Sequence, residues 1–109
     1  MSLEGHARLV VQGEPEAPGA FGRGCALLLE GVEAERSLNR AAKRLGMAYS
    51  KAWRLVNEAE DQVGFKLIDR DGARGSTLTP EGRRALAGYR TLQAEIDELV
   101  SRRLPELLC

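Results

Sequence analysis

A chain of 109 residues fits one small domain, and 43% hydrophobic residues are enough to build a core at that size. Sixteen Lys/Arg balance sixteen Asp/Glu, which argues against a non-specific polyanion binder. No apolar run approaches the roughly 18 residues of a membrane span and no charged start leads into an apolar stretch, so a cytoplasmic protein without a membrane partner is expected.

The neutral average hides a pattern. Residues 1–35 hold two Lys/Arg against six Asp/Glu (net −4), residues 36–84 hold eleven against six (net +5), and residues 85–109 hold three against four (net −1). Basic charge is therefore concentrated in the middle of the chain. The two cysteines, Cys25 in an apolar run and Cys109 at the end, match no metal or redox spacing. They are expected to be a buried thiol and a dangling one.

In chain order, "ARLVVQ" at 7–12 predicts a short strand, and "GEPEAPG" after it a turn-rich loop. From Gly22 to about Ala34, Cys25, Leu28, Leu29 and Val32 recur at helical spacing and predict a first helix. Ser37 is a good N-cap for a short second helix carrying Leu38, Ala41, Ala42 and Leu45, which Gly46 can end by adopting positive φ. A third helix is expected from about Tyr49 to Val63. On a helical wheel Tyr49, Ala52, Trp53, Val56, Ala59 and Val63 share one side, while Ser50, Arg54, Asn57 and Asp61 share the other, bordered by Lys51 and Glu58.

After Gly64, "FKLIDR" and "STLT" joined by "DGARG" predict a hairpin. Thr79 as N-cap, Pro80 at the first helical position and Glu81 in the first turn then start a last helix reaching about Arg103. The expected fold is mainly α with a small β component, in one domain. Residues 1–79 form a winged helix-turn-helix with an N-terminal strand, and residues 80–109 a long C-terminal dimerisation helix.

A short helix, a Gly-containing turn and a longer amphipathic helix make the helix-turn-helix pattern, and a hairpin directly after it makes the winged variety. Such a unit lays its second helix in the major groove with the N-terminal residues nearest the base edges. The polarity of the third helix suits this: Ser50, Lys51 and Arg54 lie in its first turns, whereas Glu58, Glu60 and Asp61 lie farther along, where a polyanion would repel them. The candidate DNA-binding set on this helix is Tyr49, Ser50, Lys51, Arg54 and Asn57. Arg40, Lys43 and Arg44 on the second helix are candidate backbone contacts, which position without reading sequence. Arg70 and Arg74 flank the hairpin turn as candidate phosphate or minor-groove contacts, with Asp69 and Asp71 working against them. Trp53 is assigned to the core rather than to base stacking, because Tyr49 and Val56 are its neighbours on the wheel.

These residues carry a resemblance. "FGRGCALLLEGVEAERSLNRAAKRLGMAYSKAWRLVNEAEDQVGFKLIDR" followed by "LTPEGRRAL" resembles the N-terminal DNA-binding domain of the molybdate-responsive ModE regulators, itself similar to the winged-helix domain of LysR-type regulators. The resemblance covers about Ala7 to Leu99, and its most specific part is the block at 46–53. It implies a bacterial transcription regulator binding double-stranded DNA as a homodimer, paired through the first and last helices, with one recognition helix and one wing from each subunit on a two-fold operator. The wing of that family is often longer and Gly-rich, whereas "DGARGS" is short. The chain also stops at Cys109, so a stand-alone domain lacking the molybdate-binding domain is expected.

Independently, Ala85, Tyr89, Leu92, Ile96 and Leu99 follow the 4-3-4-3 spacing of a helix pair. With Leu28 from the first helix they are the candidate dimer interface; the rival reading packs this stripe on its own domain. No enzyme is expected, because His6 is alone and no nucleophile, acid–base pair or phosphate-binding Gly loop is present. No cofactor, metal or small-molecule effector is evident. The alternative function is a winged-helix module whose third helix binds protein instead of DNA.

Overall fold

The computed structural model of the protein describes residues 2–70 and 75–109. Four helices and one hairpin follow in order: α1 (Arg23–Glu35), α2 (Leu38–Arg44), α3 (Tyr49–Val63), β1 (Ile68–Arg70), β2 (Ser76–Leu78) and α4 (Pro80–Leu108). No helix among the described residues is long and apolar enough to cross a membrane.

The start and stop signals operate as the sequence leads one to expect. Ser37 Oγ accepts the Arg40 N–H at 3.1 Å, and Gly46 turns the chain toward α3 with φ +65°. Thr79 Oγ1 accepts the Gly82 N–H at 2.8 Å and donates to the Lys66 carbonyl at 2.6 Å, so one hydroxyl caps α4 and ties it to the base of the wing.

Leu28, Leu29, Val32, Leu38, Ala41, Val56, Leu67 and Leu86 form the core where α1, α2, α3 and the start of α4 converge. Gly31 lets α1 and α2 cross closely: a Cβ there would stand 2.6 Å from the Ala41 Cβ, inside any tolerable contact. The antiparallel wing pairs Ile68 with Leu78, Asp69 with Thr77 and Arg70 with Ser76. It is anchored to the body through Arg36, whose left-handed backbone (φ 54°) lets its carbonyl accept the Ser76 N–H at 3.0 Å.

Three expectations change. The strand at 7–12 is reduced to a single bridge between Val11 and Phe21, because no second strand lies beside it among the described residues. The segment instead runs along α4. There the Gln93 amide accepts from Leu9 N at 2.9 Å and donates to the Ala7 carbonyl at 2.8 Å, while the Tyr89 hydroxyl donates to the Leu9 carbonyl at 3.1 Å. The last helix passes Arg103 and reaches Leu108, with Pro105 inside its final turn. At 29 residues it is about 43 Å long, which accounts for most of the 55 Å long axis of the molecule.

The third correction concerns the dimer candidates. Leu28 is 0% exposed and lies inside its own core, so it has no surface to offer a partner. Tyr89 is 9% exposed and packs against Phe21 with ring centroids 5.3 Å apart. The 4-3-4-3 stripe thus divides: Tyr89 packs on its own domain, whereas Leu92 and Leu99 are 46% and 50% exposed.

Candidate nucleic-acid interface

The exposed face of α3 carries Tyr49, Ser50, Lys51, Arg54 and Asn57, each in contact with solvent. Ala52, Val56 and Ala59, buried on the opposite side, fix this orientation. Arg40, Lys43 and Arg44 are exposed on α2, where Arg44 pairs with Glu35 at 3.8 Å. Arg54 pairs with Glu58 one turn on, also at 3.8 Å. Both contacts are long and both guanidinium groups are exposed, so the cations are available to a stronger anion.

The acidic end of α3 is less uniform than its sequence. Asp61 is exposed, but Glu60 is only 7% exposed and turned inward. One of its oxygens accepts from Leu67 N at 2.9 Å and from Ile68 N at 3.3 Å, and the other lies 3.5 Å from Lys66 Nζ. The carboxylate therefore holds the entry to the wing. Gln62 is buried as well: its oxygen accepts from Gly13 N and Glu14 N, and its NH2 donates to the Glu14 and Ala17 carbonyls. Periodicity missed both residues, because their partners are backbone groups that no wheel represents.

Arg70 stands on β1, but its guanidinium lies over the Trp53 ring and donates to Asn57 Oδ1 at 3.4 Å, instead of projecting from the hairpin. Desolvation by burial lowers its pKa from the ordinary arginine value, opposed by the nearby Glu60 and Tyr49. Trp53 is half-buried and packed against the core, with Tyr49 edge-on at 6.0 Å between centroids. Arg74 and the rest of residues 71–74, where the sequence places the hairpin turn, lie outside the described residues.

Elsewhere, a groove of about 440 Å³ opens between the N-terminal segment, the end of α3 and α4, lined among others by Leu9, Val11, Phe65, Ala85, Gly88 and Leu92. Burial pushes the Cys25 thiol up to about 12, with Glu60 adding to the shift.

Comparison with known proteins agrees with this arrangement. The chain is 38% identical over 79 residues to the "Molybdenum transport protein ModE" of Azotobacter vinelandii, and 35% identical over 79 residues to that of Herbaspirillum seropedicae. In each case 69% of this chain is covered, and the chain spans only 29% of the relative's length. Among solved structures, the "BenM_DBD/benA site 1 DNA Complex" matches with TM-score 0.61 at 26% identity, covering 76% of this chain and 94% of that one. Full-length BenM matches with TM-score 0.57 at 29% identity, over 72% of this chain and 25% of that one. The "CbnR_DBD-DNA complex" shares the fold, with TM-score 0.64 at 23% identity over 75% of this chain and 93% of that one. The profile described as "Bacterial regulatory helix-turn-helix protein, lysR family" matches residues 27–83, from within α1 to the start of α4. With more than half of its length matched and the winged helix-turn-helix in place, the chain belongs to the LysR family of bacterial regulatory helix-turn-helix proteins.

Proposed function

We propose that the protein is a sequence-specific double-stranded DNA-binding transcriptional regulator that acts as a homodimer. The observation that carries this reading is the exposed face of Ser50, Lys51 and Arg54 on the first turns of α3, flanked by Arg40, Lys43 and Arg44 on α2 and by the wing. Two or three turns of helix so furnished fit a major groove, with the α2 cations left to the flanking phosphates. The similar BenM_DBD was solved with DNA, which supports the same role here.

Support for a homodimer comes from α4. Leu92 and Leu99 are exposed and Ile96 is half-buried on the length of helix that extends past the core, and Ala85 and Leu92 continue this stripe into the apolar groove. A second copy laying the same stripe against it buries both. In this reading Ala85, Leu92, Ile96 and Leu99 make the interface.

The test is a salt series of binding to duplex from the gene's own upstream region, with random duplex as competitor. Preferential binding that weakens steeply as salt rises is the expected result, and its slope gives the number of phosphates engaged. No binding even at low salt would refute the proposal and favour a protein partner for the α3 face.

A further inference from the structure

The single tryptophan of the chain lies where the wing meets the recognition helix. Arg70 reaches across from β1 and covers the Trp53 ring, and its Nη2 donates to Asn57 Oδ1 at 3.4 Å. That bond is long, so contact with the ring is what holds the guanidinium, and the bond chiefly orients the amide. Arg70 is also held from behind: Glu60, on the same helix as Trp53, fixes the Leu67 and Ile68 amides that lead into β1.

A guanidinium has donors only, so the Asn57 atom turned toward it must be the oxygen. The Asn57 NH2 then has no partner among the described residues and lies on the same exposed face as Ser50 and Arg54.

We infer that Arg70 is a positioning residue rather than a phosphate contact: it locks the wing onto the recognition helix and fixes Asn57 as a hydrogen-bond donor toward the base edges. This rests on the DNA-binding reading above. The chemistry sets a specificity. An asparagine free to present both amide atoms pairs with N7 and N6 of adenine, but one whose oxygen is turned toward Arg70 aims its NH2 rather than its oxygen at the groove. Asn57 accordingly selects an acceptor edge, such as guanine N7 or O6 or thymine O4, and rejects the cytosine amino group.

The experiment has two arms on the full chain. In the first, acrylamide quenching of Trp53 fluorescence is measured without DNA in the unaltered protein, Arg70→Ala and Asn57→Asp. Quenching should rise in Arg70→Ala and stay low in Asn57→Asp, which keeps an acceptor for the guanidinium; unchanged quenching in Arg70→Ala would overturn the coupling. In the second, bound sequences are selected from a randomised duplex pool and the salt slope is measured. Arg70→Ala and Asn57→Asp should lose preference at the same base pair, with the slope in Arg70→Ala unchanged. A slope that falls by about one with base preference intact would make Arg70 a phosphate contact and overturn the inference. If the unaltered protein binds no duplex, the DNA-binding reading and the base assignment fall together, while the quenching arm still decides whether Arg70 couples wing to helix.

Discussion

The Glu60 carboxylate, carried by the recognition helix, accepts the backbone N–H of Leu67 at 2.9 Å where the chain enters the wing. The same oxygen also accepts from Ile68 N, and the residue is only 7% exposed. Glu60→Ala would leave both amides without this acceptor and open a small void. Charge-assisted hydrogen bonds of this kind contribute about 1.5–3 kcal/mol, so a loss of about 2–3 kcal/mol is expected in urea unfolding. Glu60→Gln keeps one oxygen for the amides and should lose less. A Glu60→Ala variant as stable as the unaltered protein would mean that water serves these amides equally well.

Much of this architecture is legible in the sequence because its signals are local. Ser37, Gly46, Thr79 and Pro80 act within a turn of where they stand, and the starts they predict for α2 and α4 are those observed, while α2 ends at Arg44, one residue short of the expected Leu45. Glu60 and Gln62 were not legible, since a wheel registers a polar side chain as solvent-facing and cannot represent a backbone partner many residues away. The segment at 7–12 has strand composition, but among the described residues it pairs only at the Val11–Phe21 bridge, and a strand needs a run of partners. The α4 stripe was legible as a stripe. Which half of it faces the chain's own Phe21 depended on the tertiary fold.

That division of α4 makes a prediction. Leu92→Asp or Leu99→Asp places charge on the exposed stripe and should convert a dimer to a monomer while leaving helical circular dichroism unchanged. Tyr89→Asp puts a charge into the packed site beside Phe21 and should lower the melting temperature instead. Sedimentation equilibrium separates the two cases. An unchanged dimer mass in both leucine variants would remove this stripe from the interface.

Gly31 supplies a packing prediction. Alanine is the better helix former by about 1 kcal/mol, but at this position its Cβ would meet Ala41 at 2.6 Å. Separating α1 from α2 costs more than the propensity gained, so Gly31→Ala should destabilise by about 1–2 kcal/mol net. Adding Ala41→Gly should recover part of that loss. If the double variant is simply the sum of two destabilisations, the steric account is wrong.

Cys25 gives a pH dependence. Its folded-state pKa is raised from 9.0 to about 12, so in this range the folded chain retains a proton that the unfolded chain has released. The stability associated with the neutral thiol is fully present below pH 9.0 and declines as pH rises toward about 12. The slope approaches about 1.4 kcal/mol per pH unit for one proton. Comparing Cys25→Ala with the unaltered protein in urea at pH 8, 9.5 and 10.5 isolates this contribution, because the variant should lack it. Equal pH slopes for the two proteins would show that the thiolate is accommodated in the fold.

Arg54 offers the most direct test of the proposed DNA face. It stands on the second turn of α3, solvent-exposed, with only a weak pair to Glu58 at 3.8 Å to restrain it. Guanidinium planarity suits the N7 and O6 acceptors of guanine, so Arg54→Ala should weaken binding to the preferred duplex by about 1–3 kcal/mol and relax specificity at one base pair. Arg54→Lys keeps the charge but loses the planar two-donor fork, and should restore affinity for random duplex more than for the preferred one. Competition binding at fixed salt reads both. If Arg54→Ala weakens preferred and random duplex equally and Arg54→Lys restores both, the side chain contributes charge to the backbone and base reading falls to Ser50, Lys51 and Asn57.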